Sequence, residues 1–245
     1  MKTKDYQPRT YRALCQSAGL VDFSVTIAES DLRISAHQDL SRQVYRALEN
    51  LRRELEEYIR TDHRFLTALA PIIVNPTAAK IVKEMADASA VFNVGPMAAV
   101  AGTIAEYVAR GLSIYSDKVI IENGGDLFAI SREQISVGIY AGGSPLSLKL
   151  ALEIEPGLEG ISICTSSGTV GHSLSFGNAD AVTIIARKGS IADAAATAIG
   201  NIVRSEADIE PALGYVRKFK HILGTVIIIN NRIGFYGEIV KIIRR

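Results

Sequence analysis

Apolar and polar residues alternate from Val21 to Ala28 (VDFSVTIA) and from Leu32 to Ala36 (LRISA), with the polar Glu29-Ser30-Asp31 between the two runs. A period of two marks a half-buried strand, so the pair predicts a β-hairpin. From Asp39 the spacing lengthens. Leu40, Val44, Leu48, Leu51, Leu55 and Ile59 recur at intervals of three or four with Arg and Glu between them. This predicts a long amphipathic helix with one buried stripe and a solvated charged face. Asn75-Pro76 reads as an N-cap and a first-turn proline, opening a second helix that runs to about Ser89, and a third starts near Gly95-Pro96. After Gly111 the period of two returns. Lys118 to Ile121, Leu127 to Ile130, Ile135 to Ala141, Leu146 to Ile154, Ile161 to Cys164 and Ala181 to Ala186 read as strands. Ile191 to Val203 is rich in Ala and Ile with Asp193 its only charge, which predicts a helix buried on most sides. Thr225 to Ile229 and Ile233 to Phe235 flank Asn230-Asn231, a turn pair that tolerates positive φ, and Glu238 to Ile243 is expected to finish the sheet. Helices grouped first and strands afterwards, with one helix returning, predict an α+β fold in which a mixed or antiparallel sheet packs with helices. Without internal repeats or a low-complexity linker, residues 1–245 are expected to form a single domain.

Composition narrows the function classes. Lys+Arg 27 against Asp+Glu 26 leaves a formal net charge of +1, which argues against nucleic acid or an anionic membrane as partner. With 48% hydrophobic and 22% charged residues the chain carries enough apolar side chain for a sizeable core. Its two cysteines, Cys15 and Cys164, are too few for a disulfide framework or a thiolate metal cluster. The segment Met1 to Leu20 is charged through its first half and lacks the apolar run of a secretory signal, and Arg12-Ala13-Leu14-Cys15 has no hydrophobic stretch before it. A cytoplasmic protein with no membrane span is expected, and the many strands with limited helix cover suit edge pairing in a homodimer.

Four segments hold polar groups and glycines beyond the needs of a scaffold. Phe92-Asn93-Val94-Gly95-Pro96-Met97-Ala98-Ala99 leads into an uncharged helix start, whose free N–H groups favour an anion, although taken alone the segment is better explained by small residues that allow close packing. Glu122-Asn123-Gly124-Gly125-Asp126 contains the Asn-Gly hairpin signal, and its second glycine followed by Asp126 leaves backbone bare for a ligand. In Cys164 to Ser173 (CTSSGTVGHS) the small residues from Thr165 to Thr169, among them Ser167, Gly168 and Thr169, offer hydroxyls and unhindered amides to a pyrophosphate. His172 is the histidine of the stretch, a lone His being more often a structural hydrogen-bonding group than a catalyst. A serine-hydrolase elbow is not met, because Gly171-His172-Ser173-Leu174 continues to Ser175. In Ser190 to Thr197, Asp193 and Thr197 are four apart on a helix and project from one face, suited to share a hard cation such as Mg²⁺. The competing reading is local: Ser190 as N-cap with Asp193 as its acidic partner, and Thr197 bonded back to a carbonyl.

In order and spacing these four segments resemble the FAD:protein FMN transferase superfamily, the ApbE proteins, over roughly Phe92 to Val203. The family's Gly-Gly-Ile-Ala-Lys-Gly helix start is similar to Gly95-Pro96-Met97-Ala98-Ala99-Val100, with Ala99 standing where the motif carries lysine. Its Asn-Leu-Gly-Gly-Asp turn resembles Asn123-Gly124-Gly125-Asp126, and its Ser-Gly loop with a following His resembles Ser167-Gly168-Thr169 and His172. Its Ala-Asp-Ala-Leu-Ala-Thr-Ala helix is similar to Ala192-Asp193-Ala194-Ala195-Ala196-Thr197-Ala198. In place of the family's His-x-x-Asp-Pro stands His172-Ser173-Leu174-Ser175-Phe176. The resemblance implies an ApbE-like fold and a Mg²⁺ site from Asp193, Thr197 and the Ala98 carbonyl. It places FAD beside Gly95, Asn123 to Asp126 and Ser167 to Thr169, with His172 and Asp193 as catalytic groups. The activity it implies is FMN transfer to a threonine of an acceptor protein, or FAD hydrolysis to FMN and AMP. The alternative is a non-catalytic binding protein for a flavin, nucleotide or other anionic metabolite.

Overall fold

The computed structural model describes residues 19–170, 175–237 and 241–244. Strands β1 (Val21–Ile27) and β2 (Ser30–Ala36) form the expected antiparallel hairpin, closed by a two-residue turn with Ala28 at φ 50°. Helix α1 (Ser41–Thr61) turns Val44, Leu48 and Leu55 into the core and keeps its Arg and Glu residues on the other side. A short α2 (Arg64–Thr67) follows, then α3 (Lys80–Phe92). The second helix therefore starts later than Asn75-Pro76. Asn75 Oδ1 accepts the Thr77 N–H at 2.9 Å and Asn75 O accepts the Ala78 N–H at 2.9 Å, a local turn that competes with helix at its own site. A single 3-10 turn, Pro96–Ala99, leads into α4 (Val100–Leu112).

The strands that follow are β3 (Val119–Asn123), β4 (Asp126–Ser131), β5 (Ile135–Gly138), β6 (Leu150–Ile154), β7 (Gly157–Ser166) and β8 (Ala181–Ala186). Helix α5 (Gly189–Ile202) is the Ala-rich segment. Helix α6 (Ile209–Val216) escapes the sequence pattern because Pro211 reads as a breaker; it sits in the helix's first turn, where its missing N–H costs nothing. Strands β9 (Ile222–Ile229), β10 (Arg232–Tyr236) and β11 (Lys241–Arg244) close the chain, with Asn230 at φ 55° in the β9–β10 turn.

Eight strands form one antiparallel sheet in the order β1-β2-β3-β4-β7-β8-β9-β10, and β11-β6-β5 form a second, antiparallel one. The last strand thus joins the small sheet instead of completing the large one. Side chains sort by parity along the central strands. Val182, Ile184, Cys164 and Phe128 enter the core under the helices, while Ile161, Ile163, Ala181, Ile185, Val226 and Ile228 enter a second core with Ile135, Leu152 and Ile154 of the small sheet. The result is helices, large sheet and small sheet in three layers, an α+β architecture. No single described helix is long and apolar enough to cross a membrane.

Helices α4 and α5 run antiparallel over the middle of the large sheet and meet at two glycines. A Cβ on Gly102 would stand 2.5 Å from Gly189 O, 2.9 Å from Asp193 Cβ and 2.9 Å from Cys164 Sγ, and one on Gly189 would stand 2.0 Å from Gly102 O. The two backbones touch because neither residue has a side chain. Gly111, on the exposed end of α4, has nothing within 4 Å of such a position. Gly189→Ala is accordingly expected to cost about 3 kcal/mol or more, lowering Tm by roughly 6–12 °C, through overpacking. Gly111→Ala is expected to leave stability unchanged or raise it by up to about 1 kcal/mol. Calorimetry of the two variants checks this; an unaltered Tm in Gly189→Ala would contradict the close helix contact.

Candidate functional site

Each of the two crossing helices lacks a side-chain cap from its own flanking residue, Ala99 before α4 and Lys188 before α5. The orphan N–H groups are satisfied by the opposite helix. Asp193 Oδ2, on α5, accepts the Gly102 N–H at 2.9 Å in the first turn of α4, and the neighbouring Ala101 N–H also favours its ionised form. Glu106 Oε2, on α4, accepts the Gly189 N–H at 2.6 Å, the first residue of α5, while its Oε1 accepts Arg110 Nε at 2.7 Å. The pairs 102 with 193 and 106 with 189 are what an antiparallel crossing produces. This overturns the local cap at Ser190. Gly189, not Ser190, opens α5, and the buried Ser190 hydroxyl points to Glu84 Oε1 at 3.4 Å.

The hairpin below carries the next groups. Gly124 and Gly125 take φ 67° and 104° in a two-residue turn between Asn123 and Asp126, the backbone that only glycine adopts without strain. Asn123 Nδ2 donates to Ala101 O at 3.1 Å, tying the hairpin to the first turn of α4. Asp126 Oδ1 accepts the Thr165 N–H at 3.1 Å, and the neighbouring Cys164 thiol lies 3.3 Å from Ser162 Oγ and 3.9 Å from Gly189 O. Cys164 is fully buried beneath Gly102 and Gly189, so the thiol that the sequence places at the border of a polar loop lies in the core. Burial, with Asp126 and Asp193 beside it, pushes its pKa well up and keeps it protonated.

Burial governs the carboxyls as well. The helix start and its two N–H groups favour ionised Asp193, but desolvation outweighs them and its pKa is pushed up to about 7. Asp126 is driven well above the ordinary carboxylate range by burial and by the neighbouring Asp193. Among the described residues no Lys or Arg pairs with either. Thr197, one turn beyond Asp193 on the same face of α5, is half-buried and its hydroxyl makes no hydrogen bond among the described residues. The Ala98 carbonyl lies just ahead of Ala99, whose carbonyl opens the ladder of α4, so it stands outside that ladder.

This donor set fits a hard divalent cation. An ionised carboxylate has about four lone-pair sites and Asp193 spends one on the Gly102 N–H, leaving the rest, with the Thr197 hydroxyl and the Ala98 carbonyl, as the oxygen donors that would hold the ion. Among the described residues no cluster of three or more His, Cys, Asp or Glu side chains could hold a metal. Three oxygen donors are only part of a shell, which suits Mg²⁺, an ion that keeps waters and shares substrate phosphates.

The remaining sequence candidates are placed as follows. Gly95 precedes the 3-10 turn and is buried against the preceding chain, since a Cβ there would stand 1.8 Å from Ala68 O. The loop after β7 is bonded to itself: Ser167 Oγ accepts the N–H groups of Thr169 at 3.1 Å and Val170 at 2.9 Å, and the Gly168 N–H goes to Ala179 O at 2.9 Å. The Gly168 and Thr169 amides, expected to be open, are therefore engaged. What the loop presents is hydroxyls, with Thr169 Oγ1 donating to Asp180 Oδ1 at 3.0 Å. Gly168 packs on Gly177, and Gly177 on Gly200 in the last turns of α5, which lies about 10 Å of helix rise beyond Asp193. His172 lies outside the described residues, as does Cys15. Gly102, Glu106, Arg110 and Gly189 lie outside the polar motifs of the sequence. Their signal is a glycine four residues before a carboxylate near the start of each helix, Gly102 with Glu106 and Gly189 with Asp193.

Comparison with known proteins bears on this arrangement. The family described as "AbpE bacteria" matches residues 12–215. A UPF0280 protein of Methanococcus aeolicus is 39% identical over 233 residues, 92% of this chain and 93% of that one. A UPF0280 protein of Methanothrix thermoacetophila is 40% identical over 221 residues, 89% of this chain and 91% of that one. Among solved structures, the flavin transferase ApbE from Vibrio cholerae superposes with a TM-score of 0.55 at 13% identity, covering 89% of this chain and 96% of that one. The Pseudomonas stutzeri flavinyl transferase ApbE, in its apo form, gives 0.55 at 13% identity, over 89% and 94%. At such identity the structural likeness speaks for the fold alone, whereas the family match and the close relatives speak for descent. The chain belongs to the ApbE-like family described as "AbpE bacteria", with UPF0280 proteins among its relatives.

Proposed function

We propose that this protein carries out Mg²⁺-dependent chemistry at the pyrophosphate of a flavin nucleotide, either passing FMN from FAD to a threonine of an acceptor protein or hydrolysing FAD to FMN and AMP. The observation that carries the reading is Asp193: a buried carboxyl with no cationic side chain against it among the described residues, fixed on the first turn of α4, with the Thr197 hydroxyl on the same face of its helix. Family membership and the fold shared with flavin transferases support it. Asp193, Thr197 and the Ala98 carbonyl would hold the ion, which when bound supplies positive charge to the phosphate oxygens. The chain's own groups do the rest. The Gly102 N–H keeps Asp193 oriented and Asn123 holds the hairpin under α4, and the proposal assigns the Ser167 and Thr169 hydroxyls, which hydrogen-bond each other, to the phosphates of the substrate. His172 is the group proposed to carry the proton of the attacking hydroxyl or water.

Ala99 supports a second reading, a binding protein without turnover. Its side chain is fully buried, so that position supplies no charge to a phosphate. Turnover separates the two readings. Purified protein incubated with FAD and Mg²⁺ is expected to release AMP, measured by chromatography, and Asp193→Ala is expected to lower the rate by at least a hundredfold. FAD bound without AMP release would favour the binding protein.

The raised pKa of Asp193 gives a second expectation. A carboxyl that holds its proton more tightly folded than unfolded contributes stability that is complete below about pH 4 and is lost as pH rises through about 7, a change of a few kcal/mol. Without added metal, Tm is expected to fall between pH 5 and 8, and Asp193→Asn to flatten that fall. Because a metal ion competes with the proton, Mg²⁺ is expected to raise Tm more at pH 8 than at pH 5.5. Scanning calorimetry across this range checks both; a pH-independent effect of Mg²⁺ would count against Asp193 as ligand.

A further inference from the structure

We infer that Glu106 is a positioning residue for the cation site, although it touches neither the proposed ligands nor the substrate. The inference rests on the metal reading above and deepens it. Glu106 is buried, and its carboxylate holds the first N–H of α5 at 2.6 Å from Gly189. Asp193 lies one helical turn further along that same helix and holds the first turn of α4. The turn immediately before α4 carries Ala98. Glu106 itself stands one turn beyond Gly102, so the four residues close a ring: Gly102 to Glu106 along α4, across to Gly189, along α5 to Asp193 and back to Gly102. A rigid helix turn forms each side of the ring and a hydrogen bond from a backbone N–H to a carboxyl oxygen each crossing. Between the crossings the two glycines remove any spacer, since a Cβ on either would stand within 2.5 Å of the other's carbonyl.

The ring fixes two of the three proposed ligands relative to each other, because one belongs to α5 and the other to the turn that enters α4. Of its two carboxylates, Asp193 faces the site and Glu106 faces away, toward Arg110, which is 45% exposed and stacks over the Phe128 ring at 5.1 Å. Arg110 compensates the Glu106 charge, whereas Asp193 has no such partner among the described residues. The same bonding pattern thus occurs twice, once satisfied by an arginine and once left for a cation from solution. Loss of Glu106 strands the Gly189 N–H and lets α5 shift along α4, moving Asp193 and Thr197 away from the Ala98 carbonyl. Displacements on the scale of 1 Å are enough to weaken a metal site strongly.

The test is a Mg²⁺ titration followed by thermal unfolding at pH 8, with MgCl₂ as the probe and no flavin present. In Glu106→Ala the Mg²⁺ concentration giving half of the maximal stabilisation is expected to rise about tenfold or more. Glu106→Gln, which keeps an oxygen for the Gly189 N–H, is expected to restore most of the affinity. Gly234→Ala serves as a control for lost stability alone. Its Cβ would stand 2.2 Å from Ile209 Cγ2, where β10 packs on α6, so it is expected to lower Tm without moving the Mg²⁺ midpoint. If Glu106→Ala does not fold, Glu106→Asp, which draws the carboxylate back by one methylene, is expected to raise the midpoint in its place. A midpoint equal to that of Gly234→Ala would overturn the positioning role while leaving the metal reading intact. No Mg²⁺ response in the unaltered protein would overturn the metal reading and this inference with it.

Discussion

Two helices that cap each other hold the site together. An isolated helix leaves its first N–H groups unsatisfied, and burying them uncompensated costs of the order of 1–3 kcal/mol each. Neither α4 nor α5 has a local side-chain cap, yet both begin in the interior. Asp193 and Glu106 solve this by exchange, and the exchange works only where the backbones touch, at Gly102 and Gly189. The sheet depends on the same contact. Cys164 of β7 lies directly beneath it, Phe128 of β4 packs under Arg110, and Asn123 of β3 reaches up to Ala101. Placement of the hairpin, the helix start and the Asp193 face follows from that one crossing.

Electrostatics then separate the two carboxylates. Glu106 has Arg110 and forms a closed structural pair. Asp193 shares its surroundings with Asp126 and a neutral thiol, in a site where burial works against charge, and the dipole of one helix start does not outweigh that burial. Buried carboxylates of this kind either keep a proton or take a cation. In the reading proposed above, the Thr197 hydroxyl and the Ala98 carbonyl would add the oxygen donors for the second course at neutral pH and above. The chemistry proposed here uses that charge, and it explains how a protein with an overall balance near neutrality and an alanine at position 99 could still engage a pyrophosphate.

Much of this was legible in the sequence. The stripe of α1, the Ala-rich α5, the Asn230 turn and the strand Ala181 to Ala186 follow from periodicity and turn chemistry, because each is decided by neighbouring residues. Asp193 and Thr197 stood out as an isolated polar pair on an apolar helix. What periodicity could not carry was the meeting of elements far apart in the chain. Ser190 and Asp193 spell a capping box, yet their partners are Glu84 and Gly102, and only the crossing of the helices reveals them. The loop from Ser167 to Thr169 shows the same limit: its composition suits a phosphate cradle, but the Ser167 hydroxyl takes the Thr169 and Val170 amides and the Ala179 carbonyl takes that of Gly168. Helix α6 was hidden by Pro211, whose acceptability depends on its place in the first turn.

The central claim is that the Asp193 face of α5 is a cation site. The most direct measurement is anomalous diffraction from crystals soaked in Mn²⁺ as a stand-in for Mg²⁺ at pH 8. The expected result is one ordered ion about 2.0–2.3 Å from Asp193 and Thr197 oxygens and from the Ala98 carbonyl, with the Gly102 N–H still on Asp193. Crystals that leave this position without anomalous density, while Asp193 keeps its place on the first turn of α4, would contradict it.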